Sequence, residues 1–399
     1  MERKQILLLA WEYPPTLVGG LGRHVYELSK AIAHKGHVVH VITNFVEGSL
    51  PYECMHYVHV HRVRGNFEDY SQFYNWIVGL NEAMIHYAHS LCKSISFDVI
   101  HAHDWLVCTA ATWIQKMEQI PLIITIHATE HGRNNGIYTP LQRQIHLKEK
   151  ELVRAAEAII VCSKFMKHEV QTTLQGDPER IFIFPNGINA HFFDELKPSY
   201  EIRKRYYLEN RLLIFSIGRI VSEKGFYTII EAAPILVAKY PSVMFVIAGK
   251  GPMLETYQSI VSERGLETNV AFLGHITEEV QRAFLLESDI ILVPSLYEPF
   301  GIVALEGMLA EKPTIVSDVG GLGEIILHGY NGRKMIPGSA VSLVEQLQIV
   351  IEDKEHAEQI AFHGYQYVLK YYSWNKIADH TLQLYEQIVD ITKSGGGMQ

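Results

Sequence analysis

The sequence predicts an α/β fold with two doubly wound domains, and three observations support this prediction. Short hydrophobic runs alternate with amphipathic helical patterns along most of the 399 residues. Several of these runs are apolar throughout, as in parallel strands that helices cover on both faces. The alternation pauses in a polar stretch, 189–211, and then begins again. A chain of this length commonly forms two domains.

The predicted strands of the first half are the apolar runs at 6–10, 37–43, 98–104, 121–127, 158–163 and 181–188. Between the first two runs, Val25, Leu28 and Ile32 recur at helical spacing, and Gly36 is suited to the end of that helix. The predicted strands of the second half are the runs at 212–220, 244–251, 270–276, 289–295 and 313–319. Strands that alternate with helices in this way form parallel sheets.

The pause in the pattern places a domain boundary at residue 195. The predicted N-terminal domain covers 1–195, and the predicted C-terminal domain covers 196–372. Residues 373–391 have the spacing of a long amphipathic helix, which we expect to return to the N-terminal domain, and 392–399 are expected to form a flexible tail. In sheets of this type, ligands bind beyond the carboxyl ends of the strands, so we expect the site there.

The composition excludes several classes of function. A formal net charge of −9 and a pI of about 6.2 argue against nucleic-acid binding and against anionic membranes. No apolar run approaches the ~20 residues of a membrane span. The four cysteines have no close-paired spacing, which favours reduced thiols in a cytoplasmic protein. The oligomeric state stays open, and a homo-oligomer is one of the alternatives.

Two glutamates stand on either side of a predicted helix start in the second domain. Glu298 follows a predicted strand, and Glu306 lies inside the helix that begins near Gly301. The first amides of that helix, near Phe300, Gly301 and Ile302, form a site suited to an anion. We interpret these features as a nucleotide-sugar site. Glu306 would accept the ribose hydroxyls, Glu298 would reach the transferred sugar, and the amides would hold the pyrophosphate.

Two cations accompany these carboxylates. Arg219 and Lys224 stand on either side of a strand-to-helix turn, where they would neutralise a departing diphosphate. Taken singly, such a cation is more often a solvated surface charge. Gly251 lies in a glycine turn after the next predicted strand, and a base or a ribose could lie flat against that backbone.

A glycine pair, Gly19-Gly20, opens the first predicted helix. A turn of this kind lets backbone amides approach a phosphate or a sugar closely. The spacing of Gly19, Gly20 and Gly22 is neither that of a dinucleotide fingerprint nor that of a P-loop. The alternative, that the pair only forms a turn, stays open.

Polar residues also follow two predicted strands of the first domain. Asp104 and His127 lie at strand ends, where they could hydrogen-bond a sugar. A metal site is an alternative, with ligands drawn from His101, His103, Asp104, His127 and His131. Neither an H-E-x-x-H motif nor a cysteine pair supports that alternative, so we predict no metal site and no cofactor.

Motifs in the order GGLGRH, HDW, TIHATEHGR, GRIVSEKG, GKGP and EPFGIVALEG resemble those of glycosyltransferase family 4. The resemblance extends over nearly the whole chain, through SWNKIADHTLQLYE. It implies the GT-B fold, in which two Rossmann-like domains face each other across a deep cleft. It also implies transfer of a sugar from a nucleotide-sugar donor with retention of anomeric configuration, without a metal ion.

The resemblance implies a role for each matching residue. In the N-terminal domain, which would hold the acceptor, His127 would contact the donor sugar near the reacting carbon. Asp104 would line the acceptor side, and Gly20 would approach the diphosphate. The C-terminal domain would hold the donor, with the roles given above for its two cations and its two glutamates.

These features predict a retaining glycosyltransferase that moves a hexosyl unit, with glucose as the first choice, from a UDP- or ADP-sugar to a carbohydrate hydroxyl. The chain is similar to glycogen synthase-like members of the family, which implies an α-1,4-glucan acceptor. Bacterial glycogen and starch synthases, however, carry lysine at the place of Leu17 and cysteine at the place of Phe300. The alternatives are therefore a family 4 transferase with a cell-surface glycan, lipid or small-molecule acceptor, a nucleotide-sugar epimerase, and a non-catalytic carbohydrate-binding protein.

Overall fold

The computed structural model describes residues 2–16, 19–66, 73–194 and 201–395. The chain divides into two compact units. Unit 1 consists of Met1–Gly187 and Trp374–Gln399, and unit 2 consists of Ile188–Ser373. The boundary predicted at residue 195 lies outside the described residues, and so does Leu17, where the lysine of glycogen synthases is missing.

The strands form two sheets, one in each unit. The strands of unit 1 are β1 Gln5–Leu9, β2 Val38–Asn44, β3 Tyr52–Met55, β4 Val58–Val63, β5 Val99–His103, β6 Leu122–Ile126, β7 Ala158–Val161 and β8 Ile181–Ile183. Those of unit 2 are β9 Leu212–Ile217, β10 Val243–Ala248, β11 Val270–Gly274, β12 Ile290–Val293, β13 Thr314–Ser317 and β14 Arg333–Met335. Within the described residues, the strand orders are β3-β4-β2-β1-β5-β6-β7-β8 and β11-β10-β9-β12-β13-β14.

Helices connect most of these strands, which confirms the α/β alternation that the apolar runs predict. In chain order they are α1 Gly20–His34, α2 Phe73–Cys92, α3 Cys108–Glu118, α4 Glu130–Asn134, α5 Pro140–Ala155, α6 Lys164–Leu174, α7 Ile202–Arg205, α8 Tyr227–Lys239, α9 Leu254–Glu263, α10 Glu278–Glu287, α11 Ile302–Leu309, α12 Leu322–Ile325, α13 Ala340–Glu352, α14 Lys354–Tyr371 and α15 Trp374–Gly395. None of the helices in the described part of the chain combines the length and the apolar character that a bilayer crossing requires.

Parallel pairing brings the carboxyl ends of neighbouring strands to the same edge of each sheet. β1 lies between β2 and β5, and Leu8 of β1 is opposite Val41 on one side and His101 on the other. β9 lies in the same way between β10 and β12. β3 differs, because it pairs antiparallel with β4. The loops after β5 and β6, and those after β9, β10 and β12, are therefore neighbours within their own units.

The structure differs from the sequence prediction at two element ends. The strand predicted at 181–188 ends at Ile183, and Pro185 follows, which has no amide to continue the ladder. Residues 392–395, predicted as part of a flexible tail, continue α15 as helix, and 396–399 lie outside the described residues. The hairpin of β3 and β4 was not predicted, because the prediction relied on apolar runs and did not use the alternation of apolar and polar residues in β4, which is a strand signal.

The C-terminal helix α15 packs into unit 1, as predicted. Trp374 and Tyr385 of α15 belong to the same buried core as Ile6 of β1 and Val25 of α1. Burying an aromatic side chain of this size contributes on the order of 2 kcal/mol. The chain thus returns to its first unit after completing the second.

Tyr385 connects α15 to the central strands of unit 1. Its side chain is fully buried, and its hydroxyl lies 2.6 Å from Nδ1 of His101 on β5. The other ring nitrogen of His101, Nε2, lies 2.7 Å from Oγ1 of Thr125 on β6. Burial raises the pKa of Tyr385 well above its ordinary value, so the hydroxyl remains protonated. Both ring nitrogens of His101 therefore have partners.

We expect Tyr385→Phe to lower the free energy of unfolding by about 1–2 kcal/mol, because it removes one partner of a buried imidazole. Urea unfolding followed by circular dichroism measures this change. Tyr207→Phe is the matched control: Tyr207 is 87% exposed, so its change should stay within about 0.5 kcal/mol. Equal stability of Tyr385→Phe and the wild type would contradict the expectation.

Candidate functional site

The loops that follow β9 and β12 bring two of the predicted site residues into contact. Lys224 Nζ lies 2.7 Å from Glu298 Oε2, and Ser295 Oγ donates to the same oxygen over 3.0 Å. The backbone amides of Leu296 and Tyr297, in the loop after β12, donate to the carbonyl of Glu223 in the loop after β9, so hydrogen bonds join the two loops. The predicted cation and carboxylate therefore form an ion pair at the carboxyl edge of the sheet.

Arg219 lies at the start of the loop after β9, and its side chain is more exposed than that of Lys224. Its Nη2 is 3.2 Å from Glu223 Oε1, and its side chain is 48% exposed. Exposed pairs of this kind contribute little to stability. Arg219 can therefore exchange Glu223 for an anionic ligand at low cost.

Helix α11 begins directly after the β12 loop, where the sequence predicts a helix start. Gly301 precedes Ile302 with a φ of 114°, and a Cβ at Gly301 would lie 2.3 Å from Cδ2 of Leu322, so glycine is required here. The first amides of α11 have no side-chain cap, which keeps them suited to an anion. Phe300 is buried, with its ring 5.9 Å from that of Tyr372.

Glu306, predicted to accept the ribose hydroxyls, is fully buried on α11. Gln281 of α10 donates from Nε2 to Glu306 Oε2 over 2.8 Å. A ribose can reach this carboxylate only after the surrounding side chains move. The ribose role of Glu306 stays a prediction, and Gln281 is a neighbour that the sequence analysis did not identify.

Gly251, in the loop after β10, is required by the packing of the backbone. A Cβ at this position would lie 2.3 Å from the carbonyl oxygen of Ile220 in the β9 loop. The Met253 amide donates to the same oxygen over 3.1 Å. The glycine therefore lets two loops pack closely, and its predicted contact with a base or a ribose is untested.

In unit 1, Asp104 and His127 are in contact at the ends of β5 and β6. Asp104 Oδ1 accepts a hydrogen bond from the backbone amide of His127 over 2.7 Å. Asp104 has a φ of 59°, which is unusual for a residue other than glycine. Burial raises the pKa of Asp104 to about 6, although Arg133 and the amides of His127 and Ala128 act in the opposite direction. The carboxylate holds the loop after β6 in place, and its role toward an acceptor stays a prediction.

Histidines from α1, β5 and the end of β6 surround this contact. We call them the histidine cluster, which consists of His24, His101, His103 and His127. The rings of His24 and His127 lie 4.8 Å apart, and the ring of His103 lies 5.4 Å from each of them. His103 Nδ1 is 3.2 Å from His127 Nε2, and His24 Nδ1 is 2.6 Å from Oδ1 of Asn186.

The histidine cluster is electrically neutral near pH 7. Burial lowers the pKa of His24 to about 3, and the neighbouring His127 adds to the effect. Burial, with a contribution from Arg133, also lowers the pKa of His127 to about 3. Burial and the adjacent imidazoles hold the pKa of His101 and His103 well below the ordinary value. These rings therefore offer hydrogen bonds without charge.

The predicted anion site at Gly19-Gly20 already has a carboxylate beside it. Glu12 is buried, and its Oε1 accepts from the amide of Gly22 over 2.9 Å. Gly19 has an extended backbone, and a Cβ there would meet nothing within 4 Å. Gly20 is exposed as the first residue of α1. The carboxylate of Glu12 disfavours a second anion at this helix end, so an approach of the diphosphate to Gly20 stays a prediction.

The sequence analysis did not single out His24 or Asn186. His24 follows Leu21 by three residues and precedes Leu28 by four, so helical spacing places it on the buried face of α1. That spacing is a signal that could have identified it. Asn186 gives no such signal, because it lies in a loop far along the chain from His24.

The structure brings together a different set of candidate metal ligands from the set that the sequence suggested. Among the residues that the structure describes, the histidines His24, His103 and His127 form the group that could hold a metal ion. Two of them were among the suggested ligands. His101, Asp104 and His131 are not members of this group.

Two family models together match most of the chain. The model described as glycosyl transferases group 1 matches residues 199–367, and the model described as Glycosyltransferase Family 4 matches residues 18–192. The first match contains Arg219, Lys224, Glu298 and Glu306. The second contains Asp104 and His127.

Individual proteins match over almost their whole length. An uncharacterized glycosyltransferase of Methanocaldococcus jannaschii is 33% identical over 388 residues, which cover 96% of this chain and 98% of that protein. The glycogen synthase of Mycobacterium tuberculosis is 32% identical over 396 residues, covering 96% and 94%. The structure of sucrose-phosphate synthase from Thermosynechococcus elongatus superposes with a TM-score of 0.83, at 21% identity, over 98% of this chain and all of that one.

We expect the protein to lose stability as the pH falls below about 6.5. Imidazoles that are neutral in the folded state but titrate normally in the unfolded state make the unfolded state bind more protons. Each additional proton lowers the free energy of unfolding by about 1.4 kcal/mol for each unit by which the pH falls. The most deeply buried of the histidines with lowered pKa values are His24, His40, His61, His101, His103 and His127. Asp104 acts in the opposite direction between about pH 4 and 6, because its pKa is raised in the folded state.

The urea midpoint at about pH 5 should therefore lie well below that at about pH 7.5. His24→Phe removes one of the protons taken up on unfolding, so its midpoint should depend less steeply on pH. Equal wild-type midpoints at the two pH values would refute this interpretation of the buried imidazoles.

Proposed function

Because this chain belongs to glycosyltransferase family 4 and has the GT-B fold, we propose that it transfers a hexosyl unit from a nucleotide-sugar donor to a hydroxyl of a carbohydrate acceptor, with retention at the anomeric carbon. Unit 2 would hold the donor, and unit 1 would hold the acceptor. The reaction would need neither a metal ion nor a cofactor.

The observation that carries this proposal is the contact between Lys224 and Glu298 beside the N-terminus of α11. It places a cation, a carboxylate and uncapped helix amides at one edge of one sheet. A nucleotide sugar needs this combination, because its diphosphate is anionic while its sugar offers hydroxyl donors. Lys224 would stand between Glu298 and the diphosphate and reduce their repulsion.

The proposed chemistry is mainly electrostatic. The bond between the anomeric carbon and the diphosphate oxygen breaks, and the acceptor oxygen bonds to the same carbon from the same face. The proton of the acceptor hydroxyl passes to the departing diphosphate. Lys224, Arg219 and the first amides of α11 stabilise the negative charge that develops on the leaving group.

The surroundings of Asp104 disfavour its carboxylate as the nucleophile of a covalent intermediate. A double displacement needs a carboxylate below the anomeric carbon. The carboxylate of Asp104 is buried and bonded to the amides of His127 and Ala128, which leaves it poorly placed to act as a nucleophile. His127, which is neutral and partly exposed, would instead hydrogen-bond the donor sugar.

We propose first that the acceptor is an α-1,4-glucan and that the donor is UDP- or ADP-glucose. The likeness to the glycogen synthase of Mycobacterium tuberculosis over nearly the full length of both chains supports this choice. Leu17 and Phe300, which stand where bacterial glycogen synthases carry lysine and cysteine, favour the second candidate, a family 4 transferase with another glycan, a lipid or a small molecule as acceptor.

Arg219→Ala and Lys224→Ala should each lower turnover by ~10²-fold or more, because each removes a cation that stabilises the leaving group. Steady-state rates measure the loss, and circular dichroism checks that each variant is folded. Lys239→Ala is the matched control, since Lys239 is an exposed lysine paired with Glu352. Wild-type turnover in both Arg219→Ala and Lys224→Ala would contradict the proposal that these two cations stabilise the leaving group.

Release of nucleoside diphosphate from a panel of UDP-, ADP- and GDP-sugars, with and without a glucan, tests the function itself. We expect release from UDP- or ADP-glucose that depends on the glucan. If release depends on an acceptor but occurs only with another sugar or another acceptor, the second candidate function would take the place of glucan synthesis. Conversion of the donor sugar without release would indicate an epimerase. Binding of the nucleotide with neither outcome would contradict the transferase proposal.

A further inference from the structure

Three imidazoles of unit 1 converge from three separate elements. His24 lies on α1, His103 is the last residue of β5, and His127 follows β6. One ring nitrogen from each lies within 4.8 Å of one nitrogen of each of the others. Their side chains come from positions far apart in the sequence, so the tertiary fold alone brings them together.

The hydrogen bonds of His24 leave one of its nitrogens available as a lone-pair donor. The Oδ1 atom of Asn186 can only accept a hydrogen bond, so Nδ1 of His24, at 2.6 Å, must carry the proton. In the neutral ring, Nε2 then carries the lone pair. This Nε2 is buried and has no hydrogen-bond partner within the described part of the chain. An imidazole oriented through its other nitrogen is the usual arrangement of a metal-binding histidine.

A second buried nitrogen in the group is also unsatisfied. Nε2 of His103 has no partner among the residues that the structure describes, although His103 is fully buried. A buried polar atom without a hydrogen bond destabilises the folded state. Nδ1 of His103 is the atom that lies beside Nε2 of His127, so an ion held by that pair could satisfy Nε2 of His24 but not Nε2 of His103.

We propose that His24, His103 and His127 bind one divalent transition-metal ion, with Zn²⁺ as the expected occupant. Three imidazoles that leave a fourth position open are an established ligand set for Zn²⁺. His127 is the partly exposed member, and His24 and His103 are buried. The ion is not part of the proposed transfer reaction.

One nitrogen–nitrogen distance in the group already agrees with this assignment, and the widest one does not. Two nitrogens that each lie 2.0–2.1 Å from one tetrahedral ion are about 3.3 Å apart. His103 Nδ1 and His127 Nε2 are 3.2 Å apart, so this pair already has that spacing. The widest separation in the group, 4.8 Å, must shorten by about 1.5 Å on binding, which rotation of the side chains has to supply.

Other side chains of the cluster do not fit the same role. Both ring nitrogens of His101 are bonded, to Tyr385 and to Thr125. The carboxylate of Asp104 is bonded to backbone amides. A site made only of imidazoles favours Zn²⁺, Co²⁺, Ni²⁺ or Cu²⁺ over Mg²⁺ and Ca²⁺, which prefer oxygen ligands.

Occupation of this site would have a consequence for activity, and this part of the inference rests on the proposed function. His127 is the residue that we propose to contact the donor sugar. An ion bound to its ring would prevent that contact. Zn²⁺ would then act as an inhibitor, and a chelator would restore the rate.

Binding is tested without any activity measurement, by titrating the chelator-treated full chain with Co²⁺. We expect one equivalent to bind, with the visible absorption of a low-coordinate Co²⁺ that Zn²⁺ then removes. His127→Ala should abolish this absorption, and since His127 is partly exposed this variant should fold. His24→Phe should abolish it too. His275→Ala, which removes an exposed histidine of unit 2, is the control and should bind as the wild type does.

A variant outside the ligand set tests whether the imidazole of His24 is positioned as described. Asn186→Ala removes the partner that orients the ring, so Co²⁺ affinity should fall by ~10–100-fold. Absence of bound Co²⁺ in the wild type, or equal binding by the wild type and His127→Ala, would overturn the proposal. None of these measurements depends on turnover, so a result that overturns the metal site would not contradict the proposed transferase function.

Discussion

Parallel pairing of the strands is the constraint on which the candidate sites depend. In a parallel sheet all strands end at the same edge, so the loops that follow neighbouring strands must meet there. β9 and β12 are neighbours in unit 2, and this is why Lys224 and Glu298, which are 74 residues apart, form an ion pair. β5 and β6 are neighbours in unit 1, and this brings Asp104 to the amide of His127.

The two units use different electrostatics at their carboxyl edges. In unit 2, Lys224 and Glu298 remain partly exposed and paired, and Arg219 is half-exposed. In unit 1, burial lowers the pKa of the histidines and raises that of Asp104, so the imidazoles are neutral there. Charged groups match an anionic diphosphate, and neutral imidazoles match the hydroxyls of a sugar. The same neutral rings also have the lone pairs that a transition metal requires, which connects the proposed reaction with the proposed metal site.

The sequence predicted the α/β class, most of the central strands and the return of the last helix, because apolar runs and helical spacing depend on local residue types. It did not predict β3 and β4, because the prediction relied on apolar runs and not on the alternation in β4, and it extended the strand at 181–188 past Pro185. The motif residues could be placed at strand ends for the same local reason. Their partners could not: Gln281, Asn186 and Glu12 occur in segments with no distinguishing pattern.

The sequence by itself determined the residue types at each strand end and, through its ordered motifs, the membership of a glycosyltransferase family. The tertiary structure alone decided which of those residues meet and how much water reaches them. It placed Glu306 out of contact with solvent and set His24 against His103 and His127. Burial and distance are properties of packing between elements that are remote in the chain, and no local pattern of residues contains them. The ionisation state of each group depends on both, so it too follows from the fold.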